Sequence, residues 1–510
     1  MTDVREWIFS HASRRPEALA QVDQATGRTF TYAQMQERVS RLAGYLRHRL
    51  AVGVGDVVAV LGDNSSDMFD IDFACARLGA VFLPMNTRLA PPELAYQLDD
   101  AKPRVLFVGA GYEASCAAAL DRSRISPEVL AFGSAEGGAH LEAVIADEQS
   151  PIERSQRSDS DGWNLMYSSG TTGRPKGVLH THGGVTQQAI ANCVPLGLSP
   201  RSCGLGILPI FHISGLNIFA HAMFYAGGTQ VTMARFDPAE VLRVVADPTL
   251  GVTHFAGVPT MFEMMAAIPE FADFAPAAIE GVFVGGAPST RSLLESYAAK
   301  SMPLIQGYGL TETGPTLTVL DPEDAIAKLG SAGKPIMHVD VRVVRGDGTE
   351  ADPDEVGEII VKGPSVIKEY FKRPDAQDAN FLDDWLRTGD MGRFDGDGYL
   401  YIADRKKDMF ISGGENVYPA EVENCLASHP AIAQVSVIGI ADEKWGEVGA
   451  AFIVPSGPDA ITAEDVQAFC DGRLARYKIP RRVFIRDDLP LGASGKVLKT
   501  ELRKLAAKLP

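Results

Sequence analysis

The stretch Tyr167-Ser-Ser-Gly-Thr-Thr-Gly-Arg-Pro-Lys-Gly177 puts hydroxyls at Ser168, Ser169, Thr171 and Thr172, glycines at Gly170, Gly173 and Gly177, and cations at Arg174 and Lys176. Glycines let backbone N–H groups converge, the hydroxyls add donors, and Lys176 supplies positive charge. That combination suits a polyphosphate. The order GxxxxGK[ST] of a Walker loop is absent. Farther on, Gln306-Gly-Tyr-Gly-Leu-Thr-Glu312 combines a flat aromatic face, a hydroxyl and a carboxylate. Glu312 is a hard oxygen ligand that suits magnesium, usually through water. Asp390, in Thr388-Gly389-Asp390, can accept from paired hydroxyls, and Arg405 is a forked donor.

Taken in order, the SSGTTGRPKG loop, Gln306–Glu312, Thr388–Asp390, Asp404-Arg405 with Lys407, and Pro490-Leu-Gly-Ala-Ser-Gly-Lys496 resemble five signatures of the adenylate-forming superfamily. That superfamily comprises acyl- and aryl-CoA synthetases, luciferases and amino-acid adenylation domains. The resemblance spans nearly the whole chain. It implies that ATP and AMP are held by Ser168, Ser169, Gly170, Thr171, Thr172 and Lys176, by Gly286, Ala287, Pro288, Gln306, Gly307, Tyr308, Gly309 and Thr311, and by Asp390, Arg405 and Lys496. Magnesium falls to Glu312 and Thr172. Tyr308 offers a face to adenine, and the small residues Gly285-Gly286-Ala287-Pro288 let backbone approach the ring edge. The implied catalytic groups are Lys496, His212, Thr311 and Glu312, with the Lys496 ammonium bridging two anions during attack on the α-phosphorus.

By the same resemblance the C-terminal domain turns about Lys407 between adenylation and thioester formation by coenzyme A, exchanging Lys496 for the loop with Gly413 and Gly414. Arg235 matches a position that meets the nucleotide end of coenzyme A. Trp445 reads either as a wall of the pantetheine channel or as a core or domain-interface tryptophan. Phe211-His-Ile-Ser-Gly215 resembles the mouth of the acid pocket, which His212, Ser214, Gly215, Gly285, Gly309, Gly314 and Pro315 would line, the small residues leaving a slot. His212 stands where amino-acid adenylation domains place an aspartate, so an uncharged, apolar acid fits better than an amino acid. ISGGENVYPAEVE and DEKWGE resemble bacterial fatty-acyl-CoA ligases, whereas FHISGLN and GYGLTETGPTLT resemble hydroxycinnamate:CoA ligases. The reading leans to a ferulate- or coumarate-type acid, with a fatty acid as the alternative and luciferase-like oxidation or a carrier thiol behind it.

These groups need a scaffold. Thr31 followed by Gln34 has the form of a capping box, with Val39, Leu42 and Leu46 at helical spacing. Asp56–Leu61 and Ala80–Leu83 read as buried strands around a helix at Met68–Gly79. Residues 110–161 read as helices and loops. Strands return at 204–208, 229–233 and 281–284, with helices at 238–246 and 289–299. After Ala332 the pattern alternates, as in Val339–Val343 and Gly357–Val361, and predicts a small antiparallel unit. The fold class expected is α/β: a large N-terminal domain of layered α/β subdomains plus that small antiparallel β unit over 1–403, a hinge at 404–408, and a small mobile α+β C-terminal domain over 409–510.

The 510-residue chain is 45% hydrophobic and 22% charged, which excludes disordered and fibrous classes. Its net charge of −17 argues against nucleic acid as partner. From Gly472 onward the balance reverses to eleven Lys/Arg against three Asp/Glu, a tail able to face an anionic ligand. Six scattered cysteines form neither a zinc pattern nor a disulfide framework. With no signal peptide and no apolar run of membrane length, the expected location is the cytoplasm and the expected partners are a small acid, ATP and coenzyme A, with a homodimer left open.

Overall fold

A computed structural model describes residues 6–508 apart from 135–138, 153–156, 169–174, 374–379, 406–407, 413–414, 443–444, 458–460, 472, 475 and 493–496, and apart from the side chains of Asp404, Arg405, Ile411, Glu415 and Asn416. By packing, the chain forms two compact units: Met1–Val341 with Val361–Leu386, and Arg342–Ile360 with Arg387–Pro510. Among the described residues no helix is long and apolar enough to cross a membrane.

The first unit is built on two sheets. One is seven-stranded, in the spatial order Ala139–His140, Glu128–Phe132, Val105–Gly109, Val57–Leu61, Val81–Pro84, Gly162–Ser168, Lys176–Thr181. All of its pairs are parallel except the last, a hairpin. In the other, the strands Leu304–Gly309, Gly281–Gly285, His254–Gly257, Cys203–Gly206, Thr229–Thr232 and Leu19–Asp23 lie parallel in that order. Thr316–Leu320 runs antiparallel beside Leu304–Gly309. Strands buried on both faces need continuous apolar runs, and Val57–Leu61 (VVAVL) is buried at every position. The capping box forms as expected: Thr31 accepts from Gln34 N and starts the helix Tyr32–His48, which buries Val39, Leu42 and Leu46. The helix Ser66–Leu78 ends at Gly79, whose φ of +67° only glycine adopts at little cost. Trp7, Phe73, Trp163 and Phe224 interlock edge to face or tilted in the main core.

One expectation needs correction. Residues 110–161 are not only helices and loops, because Glu128–Phe132 is a strand parallel to Val105–Gly109. Its first two positions are exposed and its last three buried, so neither alternation nor a long apolar run marks it.

In the second unit, Trp385–Phe394 pairs antiparallel with Leu400–Arg405. A five-stranded sheet follows, with the long hairpin Ile432–Asp442 and Gly446–Pro455 at its centre and Arg482–Ile485 parallel to the latter. The helices Pro419–Ala427 and Ala463–Cys470 cover it through Val422, Leu426 and Val466.

Candidate active site

The donor-rich loop closes the hairpin of Gly162–Ser168 and Lys176–Thr181, where Ser168 faces Lys176 across the ladder. Ser169, Gly170, Thr171 and Thr172 lie outside the described residues. At the hairpin mouth, Ser168 Oγ donates to Glu312 Oε1 at 2.9 Å and the Tyr370 hydroxyl donates to the same oxygen at 3.3 Å. The Lys176 ammonium sits 4.9 Å from the centre of the Tyr370 ring, a cation–π distance. A carboxylate, an ammonium and a hydroxyl from three distant parts of the chain therefore meet at one place.

Glu312 is held from both sides. It lies in the 3₁₀ turn Thr311–Thr313; Leu310 N donates to Thr313 Oγ1 at 3.0 Å, and Ile367 N donates to the Glu312 carbonyl at 3.0 Å. Ser365 Oγ donates to the Thr313 carbonyl at 3.0 Å. Upstream, the strand Leu304–Gly309 pairs in register with Gly281–Gly285, Val284 opposite Gln306 and Gly285 opposite Gly307. Gly286 through Pro288 and Gln306 through Gly309 thus emerge side by side at the carboxyl ends of neighbouring parallel strands, the edge where open α/β sheets bind ligands. Gly286 adopts φ +88°. The Gln306 Nε2 is buried and meets no acceptor among the described residues.

The glycines do not leave a slot in the way expected from the sequence. A Cβ on Gly309 would collide with the Pro315 carbonyl oxygen, and one on Gly215 with the Pro209 carbonyl oxygen. On Gly285 it would lie 2.9 Å from the Gly307 carbonyl oxygen, and on Gly314 2.8 Å from Ser365 Cβ. The chain itself fills the space of the missing side chains, so these residues are small because backbone passes close by.

His212 is half-buried between the strand Cys203–Gly206 and the π-helix Ser214–Ala220. Its N–H donates to the Pro209 carbonyl at 3.1 Å, and its carbonyl accepts from Gly215 N at 3.0 Å. Sequence reasoning missed Asn64, which clamps the segment ahead of His212: Nδ2 donates to the Leu208 carbonyl at 2.9 Å and Oδ1 accepts from Ile210 N at 3.0 Å. The only signal was an asparagine after a strand, which reads as a turn. Arg235 is exposed and paired with Asp63 at 2.9 Å, and its Nη2 reaches the Tyr112 hydroxyl at 3.2 Å.

In the second unit, Asp390 is buried, with its backbone opposite Arg405. Asp390 N donates to Thr388 Oγ1 at 3.1 Å, and that hydroxyl donates to the Ile359 carbonyl at 2.7 Å. Trp445 is half-buried with the Arg481 guanidinium 5.0 Å from its ring centre, so it is not a core tryptophan. Lys407, Gly413, Gly414, Lys496 and the Arg405 side chain lie outside what the structure describes.

A phosphate-loop hairpin, a clamped Glu312 and paired strand ends with Gly286 and Tyr308 define a nucleotide-binding enzyme of the adenylate-forming class. Residues 8–371 match the AMP-binding enzyme family and residues 421–496 its C-terminal domain, and the chain belongs to that family. Relatives that match over its full length include acid–CoA ligases. It is 40% identical to a feruloyl-CoA synthase of Amycolatopsis sp over 98% of each chain, and 37% identical to a long-chain-fatty-acid–CoA ligase of Mycobacterium tuberculosis over 99% of this chain and 98% of that one. The o-succinylbenzoate CoA synthetase of Bacillus subtilis, solved with its acyl-adenylate, is 35% identical and superposes with a TM-score of 0.86 over 99% of each chain. The chain is an acyl- or aryl-CoA ligase working through an acyl-adenylate.

Proposed function

We propose that the chain joins an apolar carboxylic acid of the hydroxycinnamate type to coenzyme A at the expense of ATP, releasing AMP and pyrophosphate, in the cytoplasm. An acid oxygen bonds to the α-phosphorus as pyrophosphate leaves. The thiol sulfur then bonds to the acyl carbon as AMP leaves, and the thiol proton passes to solvent. The observation that supports the first step is the meeting of Lys176, Ser168 and Glu312 at the mouth of the phosphate loop. Glu312 fits magnesium as a hard oxygen ligand already oriented by two hydroxyls, and the ion would offset phosphate charge when bound. Lys176 and the 168–172 loop hold the phosphates. Tyr308 and Gly286–Pro288 flank the base, Asp390 and Arg405 take the ribose and phosphate, and Lys496 bridges acid and nucleotide.

In this reading the N-terminal domain, 1–403, holds acid and nucleotide. The hinge at 404–408 turns the 409–510 domain, so that Gly413, Gly414, Trp445 and Arg235 receive coenzyme A. His212, Ser214, Gly314 and Pro315 border the acid. The fatty-acid alternative keeps its place because that relative covers as much of the chain at nearly the same identity. A panel of benzoate, ferulate, coumarate, octanoate and palmitate, read by pyrophosphate release and thioester formation, tests both. Ferulate or coumarate exceeding palmitate in kcat/KM is expected; palmitate ahead means a fatty-acid ligase, and pyrophosphate without thioester means another acceptor.

A further inference from the structure

A buried polar chain that the reaction scheme leaves unused ends on the turn that carries Glu312. Asp72, on the helix Ser66–Leu78, is fully buried. Its Oδ1 accepts from Trp163 Nε1 at 2.8 Å, and its Oδ2 lies 2.7 Å from His221 Nε2. The other ring nitrogen of His221, Nδ1, lies 3.0 Å from Asn217 Oδ1, which also accepts from Asn164 Nδ2 at 3.2 Å. Asn217 Nδ2 donates to the Gly314 carbonyl at 3.4 Å, one residue beyond the turn Thr311–Thr313. The path runs from the helix of Asp72, past the strand of Trp163 and Asn164, through the π-helix, to the nucleotide loop.

Hydrogen bookkeeping orients the Asn217 amide and places a hydrogen on His221 Nδ1. A backbone carbonyl can only accept, so the Asn217 nitrogen must face Gly314; the reverse orientation would set two oxygens against each other. The Asn217 oxygen then faces His221, and Nδ1 must carry a hydrogen. Nε2 faces an oxygen of the Asp72 carboxyl, and with that group ionised Nε2 carries the hydrogen of the bond as well. Rings of Trp7, Phe73 and Trp163 enclose the imidazole at 5.7, 6.0 and 4.7 Å, so water does not replace either partner. The neighbouring imidazoles are uncharged: burial, with the His221 charge adding to it, brings His180 down to about 3, and burial, then Arg157 and His221, holds His182 well below its usual value. A buried ion pair is a poor source of net stability, because well-packed apolar residues of the same volume do as well or better.

We propose that Asp72 and His221 form a buried carboxylate–imidazolium pair that, through Asn217, fixes the Gly314 carbonyl and thereby the turn presenting Thr311 and Glu312 to the nucleotide. Asp72, His221 and Asn217 are positioning residues, acting through Gly314 and not on substrate. The pair supplies a charged donor to the Asn217 oxygen, and charge-assisted bonds are about twice as strong as neutral ones. That polarises the amide and strengthens its hold on the carbonyl.

The inference rests on the nucleotide reading of Glu312, and the experiment separates the two. In protein labelled with ¹⁵N-histidine, with the His221 signals assigned by their loss in His221→Gln, both ring nitrogens are expected in the protonated range. In Asp72→Asn the new amide can donate to Nε2, so one nitrogen is expected bare while the fold is kept. Titration with MgATP alone then reads the turn. Asn217→Asp, which replaces the donor to Gly314 by an acceptor, is expected to weaken affinity about tenfold, and Asp72→Asn about threefold with an unchanged Tm. A bare nitrogen in the unmodified protein, or an unchanged MgATP affinity in Asp72→Asn, overturns the proposal whether or not Asn217→Asp folds. If MgATP binds and the variants behave as expected but no acid yields pyrophosphate, the positioning inference stands and the ligase reading falls.

Discussion

Glu312 shows how an ordinary residue becomes a specific one. A glutamate in a loop is normally solvated, but here Ser168 and Tyr370 both donate to Oε1 and the backbone on either side of the carboxylate is tied down. Glu312→Gln keeps an acceptor for both hydroxyls and removes the charge. It should therefore leave Tm nearly unchanged while acid-dependent pyrophosphate release falls roughly 10- to 100-fold; full activity would mean that Glu312 holds no metal. Gly309 teaches the opposite lesson. Its identity was legible as part of a motif, but its reason was not, because a sequence does not say where an absent Cβ would point. That point is the Pro315 carbonyl oxygen, so Gly309→Ala should cost on the order of 3 kcal/mol of stability, seen in chemical denaturation, before it alters which acid is used. Normal stability in the Gly309→Ala variant, with a narrowed acid range, would restore the open-slot reading.

Elements were readable where one local rule decided them. Thr31 with Gln34 starts a helix on its own terms, the run VVAVL reads as a doubly buried strand, and the helix expected at 238–246 forms as Pro238–Ala246. Elements decided by neighbours were not readable. Glu128–Phe132 is a strand because Val105–Gly109 lies beside it, His254–Gly257 because it fills the gap between Cys203–Gly206 and Gly281–Gly285, and Ser214–Ala220 is a π-helix inside an otherwise plain apolar run. The candidate site divides the same way. Its motifs stand in the sequence, whereas Asn64, Tyr370 and the Asp72 chain became visible only once distant segments met. The hinge proposed at Lys407 belongs to this scale too. Pro fixes φ near −65° and lacks an N–H, so Lys407→Pro should lock the backbone between Arg405 and Asp408. Adenylation should survive while thioester formation from supplied acyl-adenylate falls sharply, as half-reaction assays would read. Both half-reactions intact would put the pivot elsewhere.

For the whole molecule the net charge is −17, and part of the response to acid comes from buried groups. Burial depresses His180 to about 3 and His182 well below its usual value, so both imidazoles are neutral in the folded protein, while in the unfolded chain they protonate below about pH 6.5. For such groups the unfolded state binds more protons. Their contribution is complete above pH 6.5 and is lost as the pH falls toward the folded value, at up to about 1.4 kcal/mol per pH unit for each. Asp70 acts in the opposite sense: burial raises its carboxyl to about 6, so below that pH the folded state takes up a proton that the unfolded chain does not. Between about pH 6 and 4 it works against the histidine contribution, to which His11 and His254, also lowered by burial, add. His182 isolates one share of that contribution, since both of its ring nitrogens lack partners among the described residues and its ring stacks on Trp163 at 4.9 Å and 23°. Phenylalanine can take the same place without losing a hydrogen bond. His182→Phe should therefore hold stability at pH 7.5 and flatten its decline between pH 6.5 and 4.5 by up to about 1.4 kcal/mol per unit in urea unfolding. An unchanged slope would show that His182 is protonated in the folded protein.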